Sequence, residues 1–264
     1  APAAELYYRN HGFTVLAAFT TGVNDPALGG YQTSSKSWKA YNIGKEDSYY
    51  FKLAFDKKFS DCMRIRPSIS AFRSFNTHGG TLYNGDRAGS RYYLVMNKQS
   101  LGPDGAYDIT SNFNSGSFGP EIYTRDISYV ANMYAWLCNG IELFAGYEIA
   151  DGRTGFGKDI RNFTFVSWNV LSLYYFGDKK QFDIGFRYNK VVKDDVKEKF
   201  WPYFPTPNNG NMIVDRLQLC AGWKMTENIY AKLEYVAQNY KNFITYGLGK
   251  AWFKGFMVET AISF

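Results

Sequence analysis

The chain has 264 residues, of which 19% are aromatic and 20% are charged, and its formal net charge at pH 7 is +6. The mean hydropathy is −0.35 and no stretch reaches about 18 consecutive apolar residues, so a protein that crosses a membrane with helices is excluded. Basic residues alternate with acidic ones and form no run of the kind that binds nucleic acid, which excludes that class as well.

The first residues, Ala-Pro-Ala-Ala-Glu, contain neither an apolar core nor a basic lead. We expect a mature N-terminus left after cleavage of a signal peptide, with residues 1–10 as a lead-in to the first strand. Three cysteines, Cys62, Cys138 and Cys220, are odd in number and lack metal-type spacing. They predict three unpaired thiols buried in strands, and no metal or cofactor is expected.

Runs of alternating apolar and polar residues recur along the chain and predict about twelve strands, with 10 to 14 possible, each near the length that crosses a bilayer at a tilt. No run shows a helical period. The predicted strands are His11–Thr21, Ser48–Asp56, Cys62–Phe75, Arg91–Gln99, Ala106–Phe113, Asp126–Cys138, Ile141–Ala150, Arg161–Phe176, Gln181–Lys193, Ile213–Met225, Ile229–Tyr240 and Lys254–Phe264.

The connections between the runs alternate in length. Asn139-Gly140 between two alternating runs is a strong signal for a tight hairpin, and four other connections are short and polar. This alternation is typical of short periplasmic turns and long extracellular loops on a single domain of residues 1–264. The long connections are predicted near residues 22–47, 76–90, 114–125, 151–160, 194–212 and 241–253.

One face of nearly every run carries no charge, whereas the opposite face holds the charged residues. Tyr49, Phe51, Leu53 and Phe55 illustrate the uncharged face, and Lys52 lies between them on the other face. A charge facing lipid at mid-membrane costs about 2–4 kcal/mol, so this sorting favours an uncharged face against lipid. A water-soluble barrel or sandwich with the apolar face inside stays open on periodicity alone, but it needs a very large dry interior.

The last nine residues, Phe256 to Phe264, also alternate and end on an aromatic residue. Together with the pattern over almost the whole chain, this ending resembles the Gram-negative outer-membrane β-barrels. In size the chain is similar to their twelve-strand group, which includes the Tsx-like nucleoside channels and the oligogalacturonate and sialic-acid channels. No residue motif specific to one of these channels is present, and the acidic-sugar channels have more lumenal arginine than this chain.

The resemblance implies an all-β fold, a closed antiparallel transmembrane barrel that is integral to the bacterial outer membrane and contacts its lipid. It also implies that the barrel-insertion machinery reads the last strand, which ends in Phe264.

The lumen of such a barrel is narrow, because eight strands fill with side chains and sixteen leave an open pore. A hairpin centred on Phe59 predicts Lys52 opposite Arg66 and Ala54 opposite Arg64, a basic stripe unless neighbouring carboxylates neutralise it. Lumenal aromatic rings either stack on a solute or fill space. The candidate residues of the lumen and solute site are Lys52, Arg64, Arg66, Asp183, Arg187, Arg216, Lys232, Glu234, Tyr134, Trp136 and Trp168, with Phe144 and Tyr174 as further lumenal rings.

Three functions fit this sequence. The first is a channel for passive diffusion of small polar or anionic solutes. The second is a non-conducting barrel that serves as a structural, adhesive or assembly partner, for example through the aromatic residues of loop 194–212. The third is an outer-membrane hydrolase, which we do not expect, because the two histidines, His11 and His78, lack a nucleophile and an orienting partner. No catalytic residue is assigned.

Overall fold

The computed structural model describes residues 3–20, 31–34, 37–39, 47–75, 125–154, 161–195, 211–243 and 248–263. These residues form strands and short turns. Among them, no helix is long and apolar enough to cross a membrane. The strands are β1 (Ala3–Asn10), β2 (Phe13–Thr20), β3 (Tyr31–Ser34), β4 (Ser37–Lys39), β5 (Ser48–Phe55), β6 (Lys57–Ser60), β7 (Met63–Phe75), β8 (Arg125–Leu137), β9 (Ile141–Thr154), β10 (Arg161–Phe176), β11 (Phe182–Asp195), β12 (Met212–Lys224), β13 (Ile229–Phe243) and β14 (Leu248–Ile262).

Twelve of these strands form one antiparallel sheet in the order β1-β2-β5-β7-β8-β9-β10-β11-β12-β13-β14, with β6 also paired to β7. The twelve-stranded, almost all-β fold is the one predicted. β5 and β6 lie end to end on β7 and are separated by Asp56. Pro67 of β7 faces this break, and because proline has no N–H to donate, the ladder is interrupted there.

Ten predicted strands coincide with β2, β5, β7, β8, β9, β10, β11, β12, β13 and β14, with shifted ends. The predicted lead-in of residues 1–10 is wrong, because Ala3–Asn10 is a full strand that pairs with β2 through a turn at His11-Gly12. The predicted connection 241–253 is also shorter, because β13 runs to Phe243 and β14 begins at Leu248. Similarly, β9 extends to Thr154, inside the predicted connection 151–160.

The predicted strands Arg91–Gln99 and Ala106–Phe113 lie outside the described residues. β7 pairs directly with β8 along twelve residue pairs, from Arg64 with Trp136 to Phe75 with Arg125. No strand therefore lies between β7 and β8 in the described sheet. Within the predicted connection 22–47, β3 and β4 form a separate two-stranded sheet.

The turns at one end of the sheet, the periplasmic end, are all short, and the connections at the other, extracellular end are longer except for residues 244–247. The Asn-Gly hairpin is confirmed: Asn139 has φ 71° and Gly140 has φ 82°. Two positive φ values in succession are what the tight, right-twisted hairpin requires, and glycine adopts them without steric cost. This turn directs β9 back along β8.

β5 and β6 lie end to end and count as one strand of the sheet, so the number of strands side by side is odd. In an antiparallel sheet with an odd number of strands, the first and the last, β1 and β14, run in the same direction. Both strands head towards the periplasmic end, where Ser263 N donates to Asn228 O at 3.0 Å. A direct pairing of β1 with β14 would therefore be parallel, whereas every pairing of the described sheet is antiparallel.

Cys62 and Cys138 form a disulfide, with their Cα atoms 4.5 Å apart. The prediction of three unpaired thiols is therefore wrong for these two, and it holds for Cys220, which is free and half-buried. The physical reason is register: Arg64 pairs with Trp136, so the next facing positions towards the periplasmic end are residues 62 and 138. The bond links two adjacent periplasmic turns, in a compartment where disulfides persist.

Exposure separates the two faces of the sheet. Large apolar side chains such as Val258 (78% exposed), Phe256 (73%) and Tyr129 (57%) line one face. The other face holds buried polar residues, among them Asp183 and Glu234, each 7% exposed. Aromatic rings of the first face contact one another near the periplasmic turns, as in the series Phe176, Phe182 and Trp223. The apolar face is therefore the outward, lipid-facing one, as predicted, and the polar face lines the lumen.

Candidate lumen site

Residues that pair across neighbouring strands share a face, so the register assigns each candidate to the lumen or to lipid. Ten of the eleven candidates lie on the lumen face, in rows that cross the sheet. One row runs Arg66, Tyr134, Phe144, Leu171, Arg187, Gln218, Val236 and Gly255. Arg66 and Arg187, distant in sequence, therefore line the lumen on the same row.

The predicted three-cation stripe is wrong. Lys52 pairs with Ser70 rather than Arg66, because the hairpin is centred on Asp61 and not on Phe59. Arg64 instead donates from Nε and from Nη2 to the two oxygens of Asp56, at 2.7 and 2.6 Å. Arg66 Nε lies 3.1 Å from the same carboxylate. Two arginines thus share one acid, an arrangement that we call the arginine–aspartate cluster.

Tyr134 and Trp136 continue this wall of the lumen on β8. The Tyr134 hydroxyl bonds the Glu142 carboxylate and lies near both arginines of the cluster. The Trp136 ring stacks on Tyr175, with centroids 6.1 Å apart and planes at 27°. Trp136 therefore packs against another ring, as side chains do in the interior of narrow barrels.

On the opposite wall, Lys232 is held between two acids. Its Nζ lies 3.2 Å from Glu234 Oε2 and 3.5 Å from Glu259 Oε2. Gln218 Nε2 donates to the other oxygen of Glu234 at 2.7 Å. These groups form a closed salt-bridge network, which explains how a carboxylate only 7% exposed, that of Glu234, stays buried.

Asp183 is satisfied by a tyrosine rather than a cation. The Tyr230 hydroxyl lies 3.1 Å from both Asp183 oxygens. This contact crosses over Gly222, where an added Cβ would meet Tyr230 Oη and Asp183 Oδ1. Glycine is required here because the side chains of neighbouring strands occupy the space above it.

Substituting Gly222 by alanine is therefore expected to destabilise the protein by about 1–3 kcal/mol, because the Asp183–Tyr230 contact must open to admit the methyl group. Urea unfolding of the protein in detergent micelles measures the change. Gly255→Ala is the matched control: it lies on the lumen face of β14, and an added Cβ there meets nothing within 4 Å. Equal unfolding midpoints for the two variants would contradict the assignment.

Two lumenal cations differ from those in the networks. Lys52 and Arg187 are both exposed. Arg187 Nε lies 3.3 Å from Asn189 Oδ1, and neither cation forms an ion pair with a carboxylate of the described residues. Arg216, by contrast, is half-buried and donates to Gln238 Oε1 at 3.3 Å. Lys52 and Arg187 therefore present their charge to the water of the lumen.

A row rich in amide side chains crosses the middle of the lumen, and the charge pattern of the sequence did not reveal it. Asn132 and Asn169 flank Gly146, where an added Cβ would lie 3.0 Å from Asn132 Oδ1 and 2.6 Å from Asn169 Nδ2. The same row continues through Asn189 and Arg216 to Gln238. These residues share the register of the charged lumenal positions, so alternation alone predicts that they face the lumen. The candidate residues were chosen for their charge, and amide side chains were therefore not included.

The prediction that Trp168 and Tyr174 face the lumen is wrong. Trp168 pairs with Tyr147 and with Lys190, and Tyr174 pairs with Ile184, all on the outward face. Lys190 Nζ lies 5.0 Å from the Trp168 ring centroid on that surface. β10 has apolar residues on both faces, with Leu171 and Leu173 towards the lumen. Alternation alone therefore did not distinguish the two faces, and the predicted lumen and lipid faces of this strand were exchanged.

Within the described ranges, no group of three or more His, Cys, Asp or Glu residues could hold a metal ion. His11 lies in a periplasmic turn, with φ 46°. His78 and the predicted loop 194–212 are, for the most part, outside the described residues.

No protein-family model and no curated protein matches the chain. Among solved structures, the outer membrane channel DcaP of Acinetobacter baumannii superposes with a TM-score of 0.56 at 9% identity, covering 98% of this chain and 62% of that one. The chain therefore has the fold of the outer-membrane β-barrels. The large apolar residues of its outward face agree with an integral position in the outer membrane, in contact with lipid.

A second solved structure, in-vitro folded OmpT, an outer membrane protein of Vibrio cholerae, superposes on the barrel with a TM-score of 0.48 at 9% identity. The superposition covers 98% of this chain and 63% of the OmpT chain. The barrel thus spans less than two thirds of the length of either structure. At this identity the likeness concerns the fold alone.

Proposed function

We propose that the barrel is a narrow outer-membrane channel for passive diffusion of small polar solutes, with a preference for anionic ones. The observation that supports it is the pair of exposed lumenal cations, Lys52 and Arg187, which no described carboxylate neutralises. Charged side chains that line a pore select ions of the opposite sign.

The charges of the two lumenal networks agree with this preference, whereas Glu5 of β1 adds an exposed carboxylate on the lumen face. In the arginine–aspartate cluster, two guanidinium groups share the single carboxylate of Asp56, which leaves a local excess of positive charge. Arg64 and Arg66 are 48% and 55% exposed, so part of each group faces water. The acids of the opposite wall are occupied by Lys232, Gln218 and Tyr230. At these networks, an anion in the lumen therefore meets accessible cations and internally bonded carboxylates.

The amide-rich row suits the polar part of a solute. Amide side chains offer both donors and acceptors, so the amides of Asn132, Asn169 and Asn189 can exchange hydrogen bonds with hydroxyl or carbonyl groups of a passing molecule. A sheet of twelve strands encloses less space than the sixteen of an open porin. These features favour small solutes. DcaP is described as an outer membrane channel, which agrees with this proposal and does not identify the solute.

Conductance across a planar bilayer tests the proposal. The purified barrel is expected to produce discrete current steps in potassium chloride, with a reversal potential that indicates anion preference in a salt gradient. Heat-denatured protein at the same concentration is the control. An absence of current steps from correctly folded protein, at every salt concentration tried, would reject the channel and favour a non-conducting partner role. The proposal includes no catalytic step.

A further inference from the structure

The outward face of β14 changes character towards the extracellular end. From the periplasmic end it carries Ile262, Thr260, Val258 and Phe256, all suited to lipid chains. Beyond them, the same face carries Lys254, Trp252 and Lys250, which alternate with lumenal residues. The lipid-facing surface of this strand thus ends in a basic and aromatic segment.

Lys241 of β13 pairs directly with Lys250 of β14 on this outward face. Both side chains are exposed. Like charges directly opposite one another in a sheet are destabilising unless an opposite charge compensates. No carboxylate of the described residues forms an ion pair with either lysine, and the connecting residues 244–247, Ile-Thr-Tyr-Gly, contain no acid.

Trp252 marks the level of the membrane interface between these lysines. Its side chain is 63% exposed, and Lys254 Nζ lies 5.4 Å from the ring centroid. Indole rings prefer the headgroup region, where one edge is apolar and the other is wet. The same register row carries the Trp168–Lys190 pair, so the interface continues across the sheet. Asp215 on this row is bonded by Asn239 Nδ2 at 2.9 Å.

We propose that Lys241, Lys250 and Lys254 bind the phosphate groups of a lipid in the outer leaflet, with Trp252 against the boundary between its headgroup and acyl chains. The three ammonium groups supply the opposite charge that a phosphorylated headgroup requires, and clusters of basic residues beside a membrane bind anionic lipids. The lipid phosphate, in turn, compensates the repulsion between Lys241 and Lys250.

Lipid retention by the purified barrel tests this site. The protein is incubated in detergent micelles doped with a diphosphorylated glucosamine lipid (lipid A) or with the same lipid stripped of phosphate, and bound lipid is counted by native mass spectrometry. The barrel is expected to retain the phosphorylated form. The triple variant Lys241→Gln, Lys250→Gln, Lys254→Gln is expected to bind it at least about tenfold more weakly.

A triple variant with the same loss of charge at the periplasmic end, Lys57→Gln, Lys179→Gln, Lys224→Gln, is the matched control and is expected to bind like the unaltered protein. If the first triple variant does not fold, as judged by its migration on a gel before and after boiling, Lys250→Gln alone replaces it. Equal retention by both triple variants, or retention of the phosphate-free lipid as strong as that of lipid A, would overturn the proposal and leave an apolar lipid contact only.

Discussion

Replacing Lys52 and Arg187 together by glutamate is expected to convert the anion preference of the lumen into a cation preference. Each substitution exchanges an exposed lumenal cation for an anion, and no described carboxylate offsets either group in the unaltered protein. Two unit charges about 4 Å apart interact with an energy of about 1–4 kcal/mol, depending on how strongly water screens them. The ratio of anion to cation permeability should therefore fall at least about tenfold.

The reversal potential in a potassium chloride gradient measures this change. The control is the double variant Lys57→Glu, Lys179→Glu, which alters the net charge equally at the periplasmic end: Lys57 lies over the Phe59 ring, and Lys179 lies in the turn between β10 and β11. A reversal potential that moves equally in both double variants would show that net charge, and not these two lumenal groups, sets the preference. An unchanged potential in both would reject Lys52 and Arg187 as selectivity residues.

Removing the disulfide is expected to have the largest effect on stability. The bond closes a loop with a sequence separation of 76 residues, and in the chain-entropy model a loop of this length stabilises the folded state by about 4 kcal/mol. The variant Cys62→Ser, Cys138→Ser should therefore unfold at a lower urea concentration in detergent. The unaltered protein treated with a reductant should show the same loss.

Cys220→Ser is the control for this experiment, because Cys220 is the free thiol and lies on the lumen face. Its replacement removes a sulfur atom and leaves the disulfide intact. Alkylation under denaturing, non-reducing conditions provides an independent count, with one thiol expected in the unaltered chain. Three alkylated thiols, or unfolding midpoints that are equal with and without the two cysteines, would contradict the bond.

Alternation was a sufficient signal wherever one face of a strand is clearly apolar. In β8, Ile127, Tyr129 and Met133 alternate with polar residues, and the predicted strand matches the observed one closely. β1 was missed although its residues alternate, because a strand of eight residues at the end of the chain contains Glu5 and Arg9 and resembles a polar lead-in. β10 was predicted as a strand but in the wrong phase, since both of its faces carry large apolar residues.

Cross-strand partners could not be predicted reliably, because they depend on the position of each turn. Moving the centre of one hairpin from Phe59 to Asp61 shifts every partner by four residues, from Arg66 to Ser70 for Lys52. The same dependence explains the cysteines: Cys62 and Cys138 are far apart in sequence, and only the register of β7 with β8 brings them together.

The sequence by itself determined the fold class of this protein. A strand with one face against lipid and the other against water must alternate apolar and polar residues, and this alternation is visible within single strands. It also determined which residues are charged within that alternation. The tertiary structure decided which charges meet: Arg64 and Arg66 share Asp56, Lys232 lies between Glu234 and Glu259, and Lys52 and Arg187 stay exposed. The physical reason is that ion pairs form within a few ångströms, whereas register between distant strands arises only when the whole sheet assembles.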